Sequence, residues 1–129
     1  NKQVEFYEVA EGFTQMSGIN NLNFKNSFER IKKNSDSKIN KINIECKTFE
    51  NLIPSDQIID LISIDIEGNE PDVLSSINFD KYQIKVIILE NNTPKELSYL
   101  KFFLEKNFNY FDRVGMDEIY YNREYFSLK

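Results

Sequence analysis

Apolar residues fall into short runs separated by polar turns along this chain, and the spacing within each run separates strands from helices. Val4 to Val9 (VEFYEV) alternates imperfectly and is rich in β-formers, which predicts a strand, and the turn-like EGFTQMSG follows it. From Asn20 to Asn40 the chain is polar, rich in Asn, Ser and Lys, without clear periodicity. That pattern predicts a surface excursion with one short helix over Ser27 to Lys33. In INIECKTF, Ile42, Ile44 and Cys46 share one face, the pattern of an edge strand with Cys46 as a buried small hydrophobe. Thr48 is set to cap the short helix FENLI.

The second half is more apolar and more regular. Ile58 to Ile66 (IIDLISIDI) is dense in β-branched residues with no clean alternation, the pattern of a central parallel strand covered on both faces. Gly68 frees the backbone to turn, and Asn69 and Pro71 then predict the cap and first position of a helix over EPDVLSSINF. Ile84 to Asn91 (IKVIILEN) repeats the apolar strand ending in a carboxylate and amides. Thr93 to Asn107 (TPKELSYLKFFLEKN) reads as a helix, with Thr93 as cap, Pro94 at its first position, and Leu97, Leu100 and Leu104 on one face. FNYFDRV and DEIYYNRE predict a closing hairpin around Gly115 and Met116. Strands alternating with helices imply an α/β sheet, whose ligands bind outside the carboxyl ends of its parallel strands. Asp65 and Glu67 fall at that edge, as do Glu90 and Asn91, side by side if their strands are neighbours.

Composition narrows the class. At 129 residues and 40% hydrophobic the chain is expected to form a single α/β domain over residues 1–129. The missing initiator Met and an opening in mid-strand suggest part of a longer protein. No apolar run approaches the roughly 18 residues that a membrane span needs, and Asn1 to Ala10 lacks a signal-like block, so a soluble, cytoplasmic protein is expected. With one cysteine and no histidine, an internal disulfide and a His-bearing zinc site are both impossible, and any metal would be a hard cation on oxygen ligands. The net charge of −5 lies wholly in residues 57–129, which carry thirteen acidic against eight basic groups. Such a surface disfavours nucleic acid.

Chemistry then concentrates in one stretch. Five carboxylates lie between Asp60 and Asp72 with no basic residue among them. Glu70 and Asp72 also suit a helix N-terminus through its dipole. Asp65, flanked by Ile64 and Ile66, and its neighbour Glu67 are the stronger candidates for a site, because crowded like charges take up a proton or a cation. Tyr7, Tyr120 and Tyr121 have the composition for stacking on a sugar or adenine, but aromatics in strands more often pack in the core.

The stretch IDLISIDIEGNEPDVL, followed some twenty residues later by VIILEN, resembles the FkbM family of S-adenosylmethionine-dependent methyltransferases. ECKTFENLI and GFTQMSGI are similar to segments preceding that motif, so the resemblance runs from about Gly12 to Asn122. Asp65, Glu67, Gly68 and Glu70 match the family's D-x-E-G-x-E element, Glu90 matches the acid ending the next strand, and Ser63 stands where the family usually has lysine. The resemblance implies a partial Rossmann-like methyltransferase sheet, made of the later strands and helices with a C-terminal antiparallel hairpin. It also implies adenosylmethionine as cofactor and a hydroxyl of a sugar or polyketide-like molecule as acceptor.

Gly12, Gly18, Gly68 and Gly115 never approach the G-x-G spacing of a cofactor-binding turn. The chain thus resembles the acceptor side of the enzyme plus one wall of the cofactor pocket, with Asp65 and Ile66 on that wall. Asp65 is the candidate base or cation ligand, Glu67 a catalytic group that binds the acceptor hydroxyl, and Glu70, Glu90 and Asn91 further acceptor-binding groups, Glu90 and Asn91 closing the pocket. Weak cofactor binding by this chain alone is expected, with self-association along an exposed sheet edge. Two other classes fit the same residues: a non-catalytic α/β binding or dimerisation module, and a magnesium-dependent phosphoryl-transfer domain.

Overall fold

A computed structural model describes residues 2–12, 14–20, 25–33, 37–92 and 98–126. The chain divides into two compact units, Asn1–Leu52 with Ile66–Ser76, and Ile53–Asp65 with Ile77–Lys129. In the first, β1 (Lys2–Glu11) pairs antiparallel with β2 (Gly18–Ile19) on one side and β3 (Lys38–Cys46) on the other. Tyr7 and Val9 point to one face of β1, where Met16 from a 3-10 turn and Ile31 from α1 (Lys25–Lys32) close a small core. Tyr7 stacks on Phe28 at 4.3 Å between centroids, so this tyrosine is a packing residue. β3 is an edge strand as its alternation predicts, but it starts at Lys38, because the long β1 carries its ladder to the Glu11–Lys38 pair. Cys46 is half-buried and free. α1 begins two residues before the expected Ser27, and the rest of the polar excursion, residues 21–24 and 34–36, lies outside the described residues. Two short helices complete this unit, α2 (Phe49–Leu52) and α3 (Glu70–Ser76).

The second unit is a mixed sheet of β4 (Ile58–Ile64), β5 (Gln83–Glu90), β6 (Phe108–Val114) and β7 (Asp117–Asn122), in the order β4-β5-β7-β6. β4 and β5 run parallel, β7 pairs antiparallel with β5, and the predicted hairpin turns at Gly115 and Met116, with Gly115 at φ 66°. α4 (Ser98–Glu105) packs an aromatic cluster onto this unit. Phe103 is fully buried, stacks on Tyr120 at 4.0 Å and meets Phe108 at 5.6 Å.

Two expectations are corrected here. β4 is an edge strand, not a central one, and Ile58 and Leu61 are 55% and 53% exposed. Its β-branched density reflects strand propensity and the burial of Ile64, neither of which reports how many neighbours a strand has. On α4 the buried residue is Phe103, while Leu104 is 44% exposed, because the helix turns its ring onto Tyr120. Thr93, Pro94 and Leu97 lie outside the described residues. The chain is therefore α/β with two sheets. No helix among the described residues is long and apolar enough to cross a membrane.

Candidate functional site

Parallel pairing sets Ile64 opposite Leu89, so the residues that follow them, Asp65 and Glu90, meet at the carboxyl edge. One carboxylate oxygen of Asp65 and one of Glu90 lie within 4.8 Å of each other. Asp65 is exposed and Glu90 half-buried, and Asn92 donates its Nδ2 to Glu90 Oε2 at 2.8 Å. Two full charges at this spacing repel by roughly 1 kcal/mol in water, a cost that an exposed edge tolerates. Two carboxylates so placed offer oxygen ligands of the kind a hard cation takes. Asp60, which has no basic neighbour in sequence, receives one from the adjacent strand, since Lys85 Nζ stands 2.6 Å from its Oδ1.

After Asp65 the chain enters a turn whose backbone is left-handed twice in succession, at Glu67 (φ 55°) and Gly68 (φ 95°). Glycine adopts this region freely, whereas a residue with a Cβ carries a cost of about 1–2 kcal/mol. Glu70 holds the turn: its Oε1 accepts the Ile66 N–H at 3.0 Å and the Gly68 N–H at 3.2 Å. Charge-assisted bonds of this kind are roughly twice as strong as neutral ones and offset the strain at Glu67. Asn69 stands at the predicted cap, with its carbonyl accepting the Asp72 N–H at 3.1 Å, while its side chain turns back and donates to the Ile66 carbonyl at 3.2 Å. Both Asn69 and Glu70 are buried. The D-x-E-G-x-E element thus divides: Asp65 is exposed, Glu67 sits half-buried on a strained backbone, and Glu70 braces the turn.

The sequence reading missed a buried polar cluster one residue past Glu90. Glu118 is 1% exposed and Asn91 2%, and Asn91 Nδ2 donates to Glu118 Oε1 at 2.9 Å. Tyr120 donates its hydroxyl to Glu118 Oε2 at 2.6 Å, and Arg113 Nη1 stands 3.2 Å from Oε1. Arg113 also donates Nη2 to the Asn91 carbonyl at 2.8 Å and Nε to the Gly115 carbonyl at 2.9 Å. Burial, reinforced by the bond to Glu118, pushes the Tyr120 hydroxyl above its ordinary value, so it remains a donor at any physiological pH. Asn91 was expected to bind the acceptor, but its amide faces this cluster. The one signal in the sequence is the alternation of DEIYYN, which puts Glu118 on the same strand face as Tyr120.

Comparison with known proteins adds one finding. The family model described as "Methyltransferase FkbM domain" matches residues 1–114, most of the chain. No curated protein and no solved structure matches it significantly.

Proposed function

This chain belongs to the FkbM methyltransferase family, and from that premise we propose that it forms the acceptor side of an adenosylmethionine-dependent O-methyltransferase acting on a hydroxyl of a sugar or polyketide-like molecule. The observation that carries the reading is the meeting of Asp65 and Glu90, within 4.8 Å, at the carboxyl edge of the two parallel strands. Ligands of open α/β sheets bind at that edge. The four-stranded sheet is read as the later part of a Rossmann-like sheet. The donor set suits the cofactor: ribose hydroxyls and an ammonium group both donate to carboxylates, and Asp65 with Ile66 would form the wall beside it.

When bound, adenosylmethionine supplies an electrophilic methyl group. The chain's own contribution is to the acceptor. Asp65, exposed at the edge, would take the acceptor hydroxyl proton as the methyl group passes from the donor's sulfur to the acceptor oxygen. Glu90 hydrogen-bonds and orients the acceptor, and Glu67 binds a further hydroxyl. Glu70 shapes the turn that presents Glu67. The same two carboxylates would suit a magnesium-dependent reaction, and transfer that is unchanged by a chelator separates the two readings. Self-association along the unpaired edge of β4, where Ile58 and Leu61 are exposed, belongs to the same proposal.

The test is methyl transfer by the full-length protein from methyl-labelled adenosylmethionine to a panel of sugars with free hydroxyls, comparing wild type with Asp65→Asn. The substitution keeps the shape and removes the proton acceptor, so a loss of roughly 100- to 10,000-fold is expected with the melting temperature nearly unchanged. If Asp65→Asn keeps more than about a tenth of the rate, well short of that loss, Asp65 is a strand-end residue and the reading fails.

A further inference from the structure

Glu118 is a charged side chain buried inside a sheet, and a buried ion pair is seldom retained for stability alone, since well-packed apolar groups of the same size often serve as well. Its position points to another use. Three groups of residue 91 are held from the β6–β7 hairpin: the Asn91 N–H donates to the Met116 carbonyl at 2.8 Å, the Asn91 carbonyl accepts from Arg113 Nη2 at 2.8 Å, and the Asn91 side chain donates to Glu118 Oε1 at 2.9 Å. Glu118 gathers the side-chain part of this arrangement, because Arg113, Asn91 and Tyr120 all converge on its two oxygens. Residue 91 directly follows Glu90, and consecutive residues at a strand end face opposite sides of the sheet. Clamping Asn91 on one side therefore sets the direction of Glu90 on the other.

We infer that Glu118 is a positioning residue for the carboxyl edge of β5: through Asn91 and Arg113 it fixes the backbone that aims Glu90 beside Asp65. Its catalytic consequence rests on the reading of Glu90 as the group that orients the acceptor. The network suits this purpose. Every polar atom drawn into it has a partner, and satisfied buried networks rigidify a site. The Tyr120 hydroxyl stays a donor, and Arg113 ties the clamp to the hairpin turn at Gly115. A misplacement of about 1 Å at a reacting group costs on the order of 100-fold in rate, so a loosened residue 91 should appear in turnover before it appears in affinity.

Glu118→Gln keeps the shape of the side chain and removes its charge. Two measurements on the full protein decide the matter. In hydrogen exchange, the Asn91 amide should exchange at least roughly tenfold faster than in wild type while that of Ile87, in mid-strand, is unchanged, because only a local opening has been made easier. In methyl transfer to the sugar that wild type uses best, kcat should fall by about 10- to 100-fold, with KM within about threefold. Faster exchange at Asn91 and Ile87 together, unchanged exchange at both, or an unchanged kcat in the folded variant would overturn the inference. If Glu118→Gln does not fold, Arg113→Gln, at the half-exposed end of the same network, gives the same two readouts. A wild type that methylates no probe refutes the proposed reaction and with it the catalytic consequence, while the exchange result still decides whether Glu118 holds residue 91.

Discussion

Replacing Phe103 by alanine removes the ring on which the second unit's aromatic cluster is centred. Phe103 is 0% exposed, lies 4.0 Å from the Tyr120 ring in a stacked arrangement, and meets Phe102 at 5.3 Å and Phe108 at 5.6 Å. Truncating a buried phenylalanine costs about 3–5 kcal/mol, and each aromatic pair contributes about 0.5–1.5 kcal/mol beyond the area it buries. Three such pairs place Phe103→Ala at the upper end of that range. Against a total stability of about 5–15 kcal/mol for a domain, that is a third or more of the whole. At about 4 °C per kcal/mol, the melting temperature should fall by about 20 °C. Urea unfolding followed by tyrosine fluorescence and far-ultraviolet dichroism measures the change, with Leu104→Ala as control. Leu104 is 44% exposed, so its truncation should cost less than about 1 kcal/mol. Equal costs for the two variants would mean that α4 presents a different face to the sheet, and the aromatic core described above would be wrong.

Two further outcomes follow from other parts of the chain. The Glu5 carboxyl is held below its ordinary value of 4.5 by hydrogen bonds from Asn20 first and Lys41 second; a carboxylate lowered in this way favours the folded state at pH above its unfolded value and loses that contribution as pH falls through its folded value. Asn20→Ala should therefore raise the Glu5 midpoint toward 4.5 in a carbon-13 NMR titration, and an unmoved midpoint would show that Asn20 is not the cause. At the free margin of the second sheet, Leu61→Lys should weaken self-association in analytical ultracentrifugation by about tenfold or more, since a charge on an edge strand opposes pairing; a wild type that is strictly monomeric at high concentration would remove this part of the proposal.

Local pattern alone accounted for a good deal of this molecule. Period-two alternation and β-branched runs located β1, β5 and the β6–β7 hairpin, because strand propensity and turn chemistry act between residues close in sequence. The turn after β4 was legible for the same reason, since Gly68 frees the backbone to turn shortly after an apolar strand. Tertiary structure decided whatever depends on partners distant along the chain. β4 carries the residues of a central strand yet stands at an edge, since the number of neighbours is a property of sheet order and not of composition. Asp60 found its cation on β5, 25 residues away, and Asp65 met Glu90 only through the parallel register. In sequence Glu118 shares a strand face with Tyr120, and nothing nearby in the chain tells what that face meets. Only the folded sheet, by bringing Asn91, Arg113 and Tyr120 around it, makes its charge a buried and fully partnered one, and desolvation is a consequence of packing that no single stretch of chain contains.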